Sequence, residues 1–125
     1  MCSWEVNILK KNVLVTRKLP DEAMRLLYEA CEVELNPYDR VMTEDELIQG
    51  LSDKQGLLCM LTDTINSTTM DAGKNLKVIS NYAVGFNNID VKAATERRIL
   101  VTNTPGVLTE TTADLAWALL MATAR

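Results

Sequence analysis

Between Asn81 and Asp90 the chain reads Asn-Tyr-Ala-Val-Gly-Phe-Asn-Asn-Ile-Asp. The apolar run Leu76 to Asn81 leads into it, as a central strand would, and ligands of open α/β sheets bind beyond the C-terminal ends of such strands. Gly85 lets the backbone turn sharply and lets another group come close. Successive amides at Ala83, Val84 and Gly85 can then converge on an anion such as a carboxylate. The same residues also serve as a strand end, a glycine turn and, at Asp90, a helix cap, and the residues alone leave both uses open. A second segment, Thr102 to Asp114, also leaves a strand and enters a helix. Thr109, Thr111 and Thr112 bring hydroxyls near that helix's N-terminus. Capping accounts for Thr109, and Asp114 in the early turns is favoured by the helix dipole.

Much other chemistry is missing. Histidine is absent, which removes the commonest general acid/base, the commonest metal ligand and every Ser-His-Asp or Cys-His arrangement. The five glycines (Gly50, Gly56, Gly73, Gly85 and Gly106) are far apart, so neither a GxGxxG nor a GxxxxGK[ST] cradle exists. The three cysteines (Cys2, Cys31 and Cys59) form no CxxC pair. Cys31 and Cys59 lie in apolar settings and are expected to be buried small hydrophobes, not metal ligands or disulfide partners. A phospho-receiver site needs an acidic pair after the first strand and a lysine after the fifth. Arg17-Lys18 and Asn103-Thr104 stand there instead. Asp63, after the third strand, therefore reads as a solvated loop residue.

These segments need a scaffold, and alternating short apolar runs and helix-like stretches supply one. Asn12–Arg17 predicts a first strand. Pro20 and Asp21 open a helix with Met24, Leu27, Tyr28 and Cys31 at helical spacing. Val33–Tyr38 is a short strand stopped at Pro37. Thr43 and Glu46 form a capping box, and Leu47, Ile48 and Leu51 give the helix that follows its apolar face. Gly56–Leu61 is apolar throughout, as a strand covered on both faces must be. Asn66–Gly73 is a brief helix with Gly73 as its C-cap. Leu76–Asn81 is the fourth strand, Asp90 caps a helix through Arg98, and Ile99–Thr102 is the fifth strand. Thr109 caps a last helix. Strands alternating with helices mean βαβ units, and right-handed crossovers make them a doubly wound, flavodoxin-like α/β fold with a parallel sheet of about five strands.

The 125 residues allow one domain, with apolar residues at 47%, charged residues at 24% and a net charge of −4. Without a basic block, nucleic acid is not an expected partner. The N-terminus lacks a signal-peptide run, and the longest apolar stretch is too short to span a bilayer. A cytoplasmic protein with no membrane partner is expected. The last helix is unusual: Leu115, Trp117, Leu119, Leu120 and Met121, with alanines between, cover every side of it. A helix apolar all round must be buried all round. It is expected either to meet a partner chain or to be covered by further sequence, in preference to lying on its own sheet.

Taken together, N-Y-A-V-G-F-N-N-I-D and A-A-T-E-R-R-I-L-V-T-N-T-P-G-V-L-T-E-T-T-A-D-L-A resemble the D-isomer-specific 2-hydroxyacid dehydrogenases, within them the glyoxylate/hydroxypyruvate reductase branch. V-L-V-T-R-K-L-P and G-L-L-C-M-L-T-D are similar to that branch too. The resemblance implies a reductase that turns a 2-keto acid into a D-2-hydroxy acid with NADH or NADPH. It implies a tail over 1–11, the N-terminal portion of a substrate-binding domain over 12–107, and an interdomain or dimerisation helix over 108–125. It places the amides of Ala83, Val84 and Gly85 on the substrate carboxylate. Leu61 comes near the substrate, Val84 at the nicotinamide end of the cofactor, and Thr112 in a region facing the cofactor. The family's glycine fingerprint, arginine, glutamate and histidine have no counterpart in these residues, nor does its Rossmann domain. No catalytic residue is therefore carried over, and the chain alone is expected to bind no NAD(P) and to be inactive. The alternative is a non-catalytic module that dimerises, or joins a full-length relative, through its last helix.

Overall fold

The β-branched and leucine-rich run around Val13, Leu14 and Val15 forms β1 (Lys11–Val15) in the computed structural model, which describes residues 10–124. Then follow α1 (Asp21–Ala30), β2 (Cys31–Leu35), α2 (Glu44–Gly50), β3 (Gly56–Met60) and α3 (Ser67–Ala72). The chain continues through β4 (Val78–Tyr82), α4 (Val91–Glu96), β5 (Leu100–Thr102) and α5 (Thr109–Thr123). All strands are parallel, in the order β2-β1-β3-β4-β5. This is the flavodoxin-like α/β arrangement the alternation of elements implies.

Register aligns the core. Leu14 pairs with Leu57, Leu57 with Ile79, and Ile79 with Val101, so one apolar row crosses the sheet. Leu47 and Leu51 from α2 and its C-cap, Met70 from α3, and Ala93 and Ala94 from α4 close over it. On the opposite face Val15, Leu19 and Met24 form a smaller cluster beneath α1. That cover does not extend across the sheet, since Leu100 is 70% and Tyr82 54% exposed. No helix among the described residues is long and apolar enough to cross a membrane.

Local signals hold where they depend on near neighbours. The Thr43 hydroxyl accepts from the Glu46 amide at 3.3 Å, and the Glu46 carboxylate accepts from the Thr43 amide at 2.8 Å. Asp90 accepts from the Ala93 amide at 2.9 Å. Other expectations need correcting. Cys31 does not end α1 but opens β2, half-buried, and Tyr28 is exposed. The fourth helix stops at Glu96, before Arg98. Arg98 takes φ 56°, and the bonds from the Arg98 amide to the Thr95 carbonyl and from the Ile99 amide to the Ala94 carbonyl make a Schellman close. Thr109 does not cap α5; it is the helix's first residue, and Leu108 at the cap position offers no side-chain bond.

Asp63 is the largest departure. It is 2% exposed, not solvated. Its carboxylate accepts from the Thr16 hydroxyl and from the Met60 amide at 2.8 Å. Thr16 directly follows β1 and Asp63 lies just past β3, so this pair ties two adjacent strand exits. Asp63 also acts on Cys59: burial first, then the Asp63 charge, pushes that thiol up to about 12.

Replacing Thr16 with Val should cost about 2 kcal/mol in urea unfolding, because a buried acceptor loses its donor; a change under about 0.5 kcal/mol would contradict the bond's role. At the capping box, the Arg40 guanidinium, at 2.6 and 2.8 Å, and the Thr43 amide hold the Glu46 carboxyl at about 2, below its ordinary 4.5. A depressed value stabilises the fold above pH 4.5, and the contribution disappears as pH falls toward 2. Glu46→Gln should therefore melt lower than the unsubstituted chain at pH 7, and the gap should close across that window. Thr43→Ala should cost about 1 kcal/mol at every pH above it.

Candidate functional site

A parallel sheet delivers all its strand exits to one edge, and the segments singled out above meet there. Met60 pairs with Tyr82, so Leu61 and Ala83 are the next residues beyond two aligned, neighbouring strands. Leu61 is 55% exposed and Val84 37%, while Ala83 and Gly85 are half-buried. The structure thus brings Leu61 and the Ala83–Gly85 loop to the same edge. Thr112 stands elsewhere, on α5, where every described residue is exposed; its amide donates to the Leu108 carbonyl within its own helix.

The loop is held by its carbonyls. The Thr104 amide donates to the Ala83 carbonyl at 2.9 Å. The Asn103 side chain donates to the Val84 carbonyl at 2.7 Å, and the Asn81 side chain to the Gly85 carbonyl at 2.9 Å. No amide of Ala83, Val84 or Gly85 donates to any group among the described residues. Three acceptors are occupied and three donors remain, which suits an incoming anion. A β-carbon on Gly85 would come within 2.9 Å of the Asn87 side-chain oxygen, so glycine fits this close approach.

Behind the loop lies a partly buried amide network. The Asn81 side chain also donates to the Asn88 side-chain oxygen at 2.9 Å. Asn88 donates to the Met60 carbonyl at 3.1 Å and the Asp63 carbonyl at 2.9 Å, on either side of Leu61. The Cys59 thiol closes the network by donating to Asn81 at 3.4 Å. These asparagines carry the site's geometry, and sequence reasoning passed over them. One signal was present: Asn81 lies at the end of β4 and Asn103 directly after β5.

Neither a cofactor cradle nor a metal centre accompanies the loop. The glycines remain dispersed in the fold. Among the described residues no cluster of acidic residues, cysteine or histidine is placed to hold a metal ion. The residues present fit an anion held by backbone amides and do not fit a complete dinucleotide.

The fold has counterparts among known proteins. The model of the D-isomer specific 2-hydroxyacid dehydrogenase catalytic domain matches residues 13–125. The glyoxylate reductase of Thermococcus kodakarensis is 45% identical over 117 residues, which are 94% of this chain and 35% of that protein. The corresponding protein of Pyrococcus furiosus is 43% identical with the same coverage. The chain therefore spans about a third of the length of these curated relatives. A Thermus thermophilus protein of solved structure superposes with a TM-score of 0.81 at 46% identity, covering 91% of this chain and 37% of that one. The NADPH-dependent glyoxylate/hydroxypyruvate reductase of Sinorhizobium meliloti, solved with NADP and malonate, superposes at 0.69 with 32% identity over 91% of this chain and 34% of that one. The sheet order, the strand-exit loop and a family match running from β1 through α5 lead to one conclusion: the chain belongs to the D-isomer-specific 2-hydroxyacid dehydrogenase family.

Proposed function

We propose that these residues form the carboxylate-holding part of a substrate-binding domain, in an enzyme that reduces a 2-keto acid of the glyoxylate or hydroxypyruvate class. The observation that carries this is the Ala83–Gly85 loop, whose carbonyls are all bonded and whose amides are all free. Backbone N–H groups suit a carboxylate because charge-assisted hydrogen bonds are the strong ones. Held by its carboxylate, a 2-keto acid presents its keto carbon one bond away, in a fixed direction. Leu61 and Val84 supply apolar surface beside it and limit water. Val84 faces the nicotinamide end of the cofactor in this scheme, and Thr112 a part nearer α5. A bound nicotinamide supplies the hydride. The proton donor is not among these residues, which contain no histidine. Residues 12–107 constitute the domain portion and 108–125 its outgoing helix.

Amides alone give modest affinity. The 125-residue chain should bind malonate with a Kd on the order of millimolar, roughly −4 kcal/mol. In a ¹⁵N–¹H titration the amides of Ala83, Val84 and Gly85 should move, while those of α2 and α3 stay still. Shifts spread evenly over the chain, or absent from the loop at 50 mM (about fifty times a Kd of that order), would defeat the assignment. The same sample should oxidise neither NADH nor NADPH above blank with glyoxylate or hydroxypyruvate. A cofactor-dependent rate would show that proton and hydride chemistry resides in these residues after all.

A second reading concerns α5. Leu115, Trp117, Leu119, Leu120 and Met121 are between 51 and 65% exposed on it. Such a surface favours association with a second copy or with a longer relative, and a defined dimer buries about 1,200 Å² or more. Sedimentation equilibrium should show self-association that Trp117→Glu abolishes. A monomer at 100 µM, roughly a hundred times a micromolar Kd, would argue against the homodimer.

A further inference from the structure

The bonds behind the loop do more than tether it. A trans peptide points its C=O and the following N–H in opposite directions, and the described residues contain no cis bond. Fixing the Ala83 carbonyl on Thr104 therefore fixes the Val84 N–H. Fixing the Val84 carbonyl on Asn103 fixes the Gly85 N–H. Fixing the Gly85 carbonyl on Asn81 fixes the N–H of Phe86. All three N–H groups then point away from the groups that hold the carbonyls.

We infer that Asn81, Asn88 and Asn103 are positioning residues that aim the Val84, Gly85 and Phe86 amides at the substrate carboxylate. This rests on the carboxylate subsite proposed above and adds Phe86 to it, since Phe86 also donates to nothing among the described residues. The roles differ by burial. Asn81 is 1% exposed, and Asn88 couples it to the carbonyls flanking Leu61, so these two fix the loop relative to the β3 exit. Asn103 is half-buried and makes one bond, reached by solvent, from the β5 exit. It controls a single peptide plane and can be removed without opening the core. Preorganised donors need no reordering when the anion arrives, and that is the advantage the clamp confers.

The test compares Asn103→Ala and Asn103→Gln with the unsubstituted 125-residue chain, using malonate as the probe. Asn103→Ala should leave the melting temperature within about 2 °C, as substitutions away from the core do. It should lower the backbone order parameter of Gly85 from about 0.85 toward 0.6 and weaken malonate binding about threefold to tenfold, as loss of one hydrogen bond does. Asn103→Gln keeps an amide donor and should recover most of both. A fold-wide structural effect would instead lower the melting temperature and shift amides throughout, and that result would count against a positioning role. Unchanged order parameter and unchanged affinity in Asn103→Ala would overturn the inference while leaving the subsite intact. Absence of any malonate response at the loop of the unsubstituted chain would remove the subsite, and the inference with it.

Discussion

The Asn88 side chain donates to the carbonyls of Met60 and Asp63 while its oxygen accepts from Asn81. Through these bonds the exits of β3 and β4 become one unit. Polar backbone at a strand exit must find partners or face water. Here the partners are amides from neighbouring exits, so satisfying the backbone also sets the direction of the loop. The Thr16–Asp63 pair extends the linkage to β1, and Thr104 and Asn103 extend it to β5. Asn36, just past β2, donates to the Thr16 carbonyl at 3.0 Å, so all five strand exits are joined at one edge of the sheet.

The apolar side of the structure makes that edge possible and also marks where it is unfinished. The row from Leu14 to Val101 is sealed beneath α2, α3 and α4. The opposite face is covered by α1 around β1 and β2, while Leu100, Tyr82 and all of α5 stay exposed. Parallel sheets are normally covered on both faces. The polar edge is therefore well supported from one side of the sheet, and the remaining apolar surface is the part of the chain most in need of a partner.

How far the sequence revealed all this follows from the range of each interaction. The capping box at Thr43 and Glu46 and the cap at Asp90 span three residues, so they could be read directly. The apolar run Gly56–Met60 disclosed a central strand because burial on both faces leaves no polar position. Asp63 misled because its donor, Thr16, is 47 residues away and becomes a neighbour only once β1 and β3 pair. Arg98 misled because a Schellman close usually has glycine at its left-handed position, and a backbone–backbone motif leaves no side-chain signature. Thr109 had the right chemistry for a cap but lies one residue inside the helix. Within the candidate site, the position of Gly85 just beyond β4 was legible, but its reason was not: it takes no left-handed φ, and a β-carbon there would meet the Asn87 side-chain oxygen. The asparagines that hold the loop were not legible, since their bonds reach from Asn81 to Gly85, from Asn88 back to Met60, and from Asn103 back to Val84. The β-ladder register decides those distances, and a linear pattern does not contain it.

The strand-exit loop is tethered through its carbonyls and free through its amides. Residue-resolved hydrogen exchange on the unliganded chain tests this most directly. The Thr104, Ile65 and Asp90 amides, which donate to the Ala83, Asn88 and Ile65 carbonyls, should be strongly protected. The Val84, Gly85 and Phe86 amides, in the same ordered edge, should exchange at nearly the unprotected rate. Protection of those three comparable to Thr104 would mean that they already have partners, and it would contradict the account.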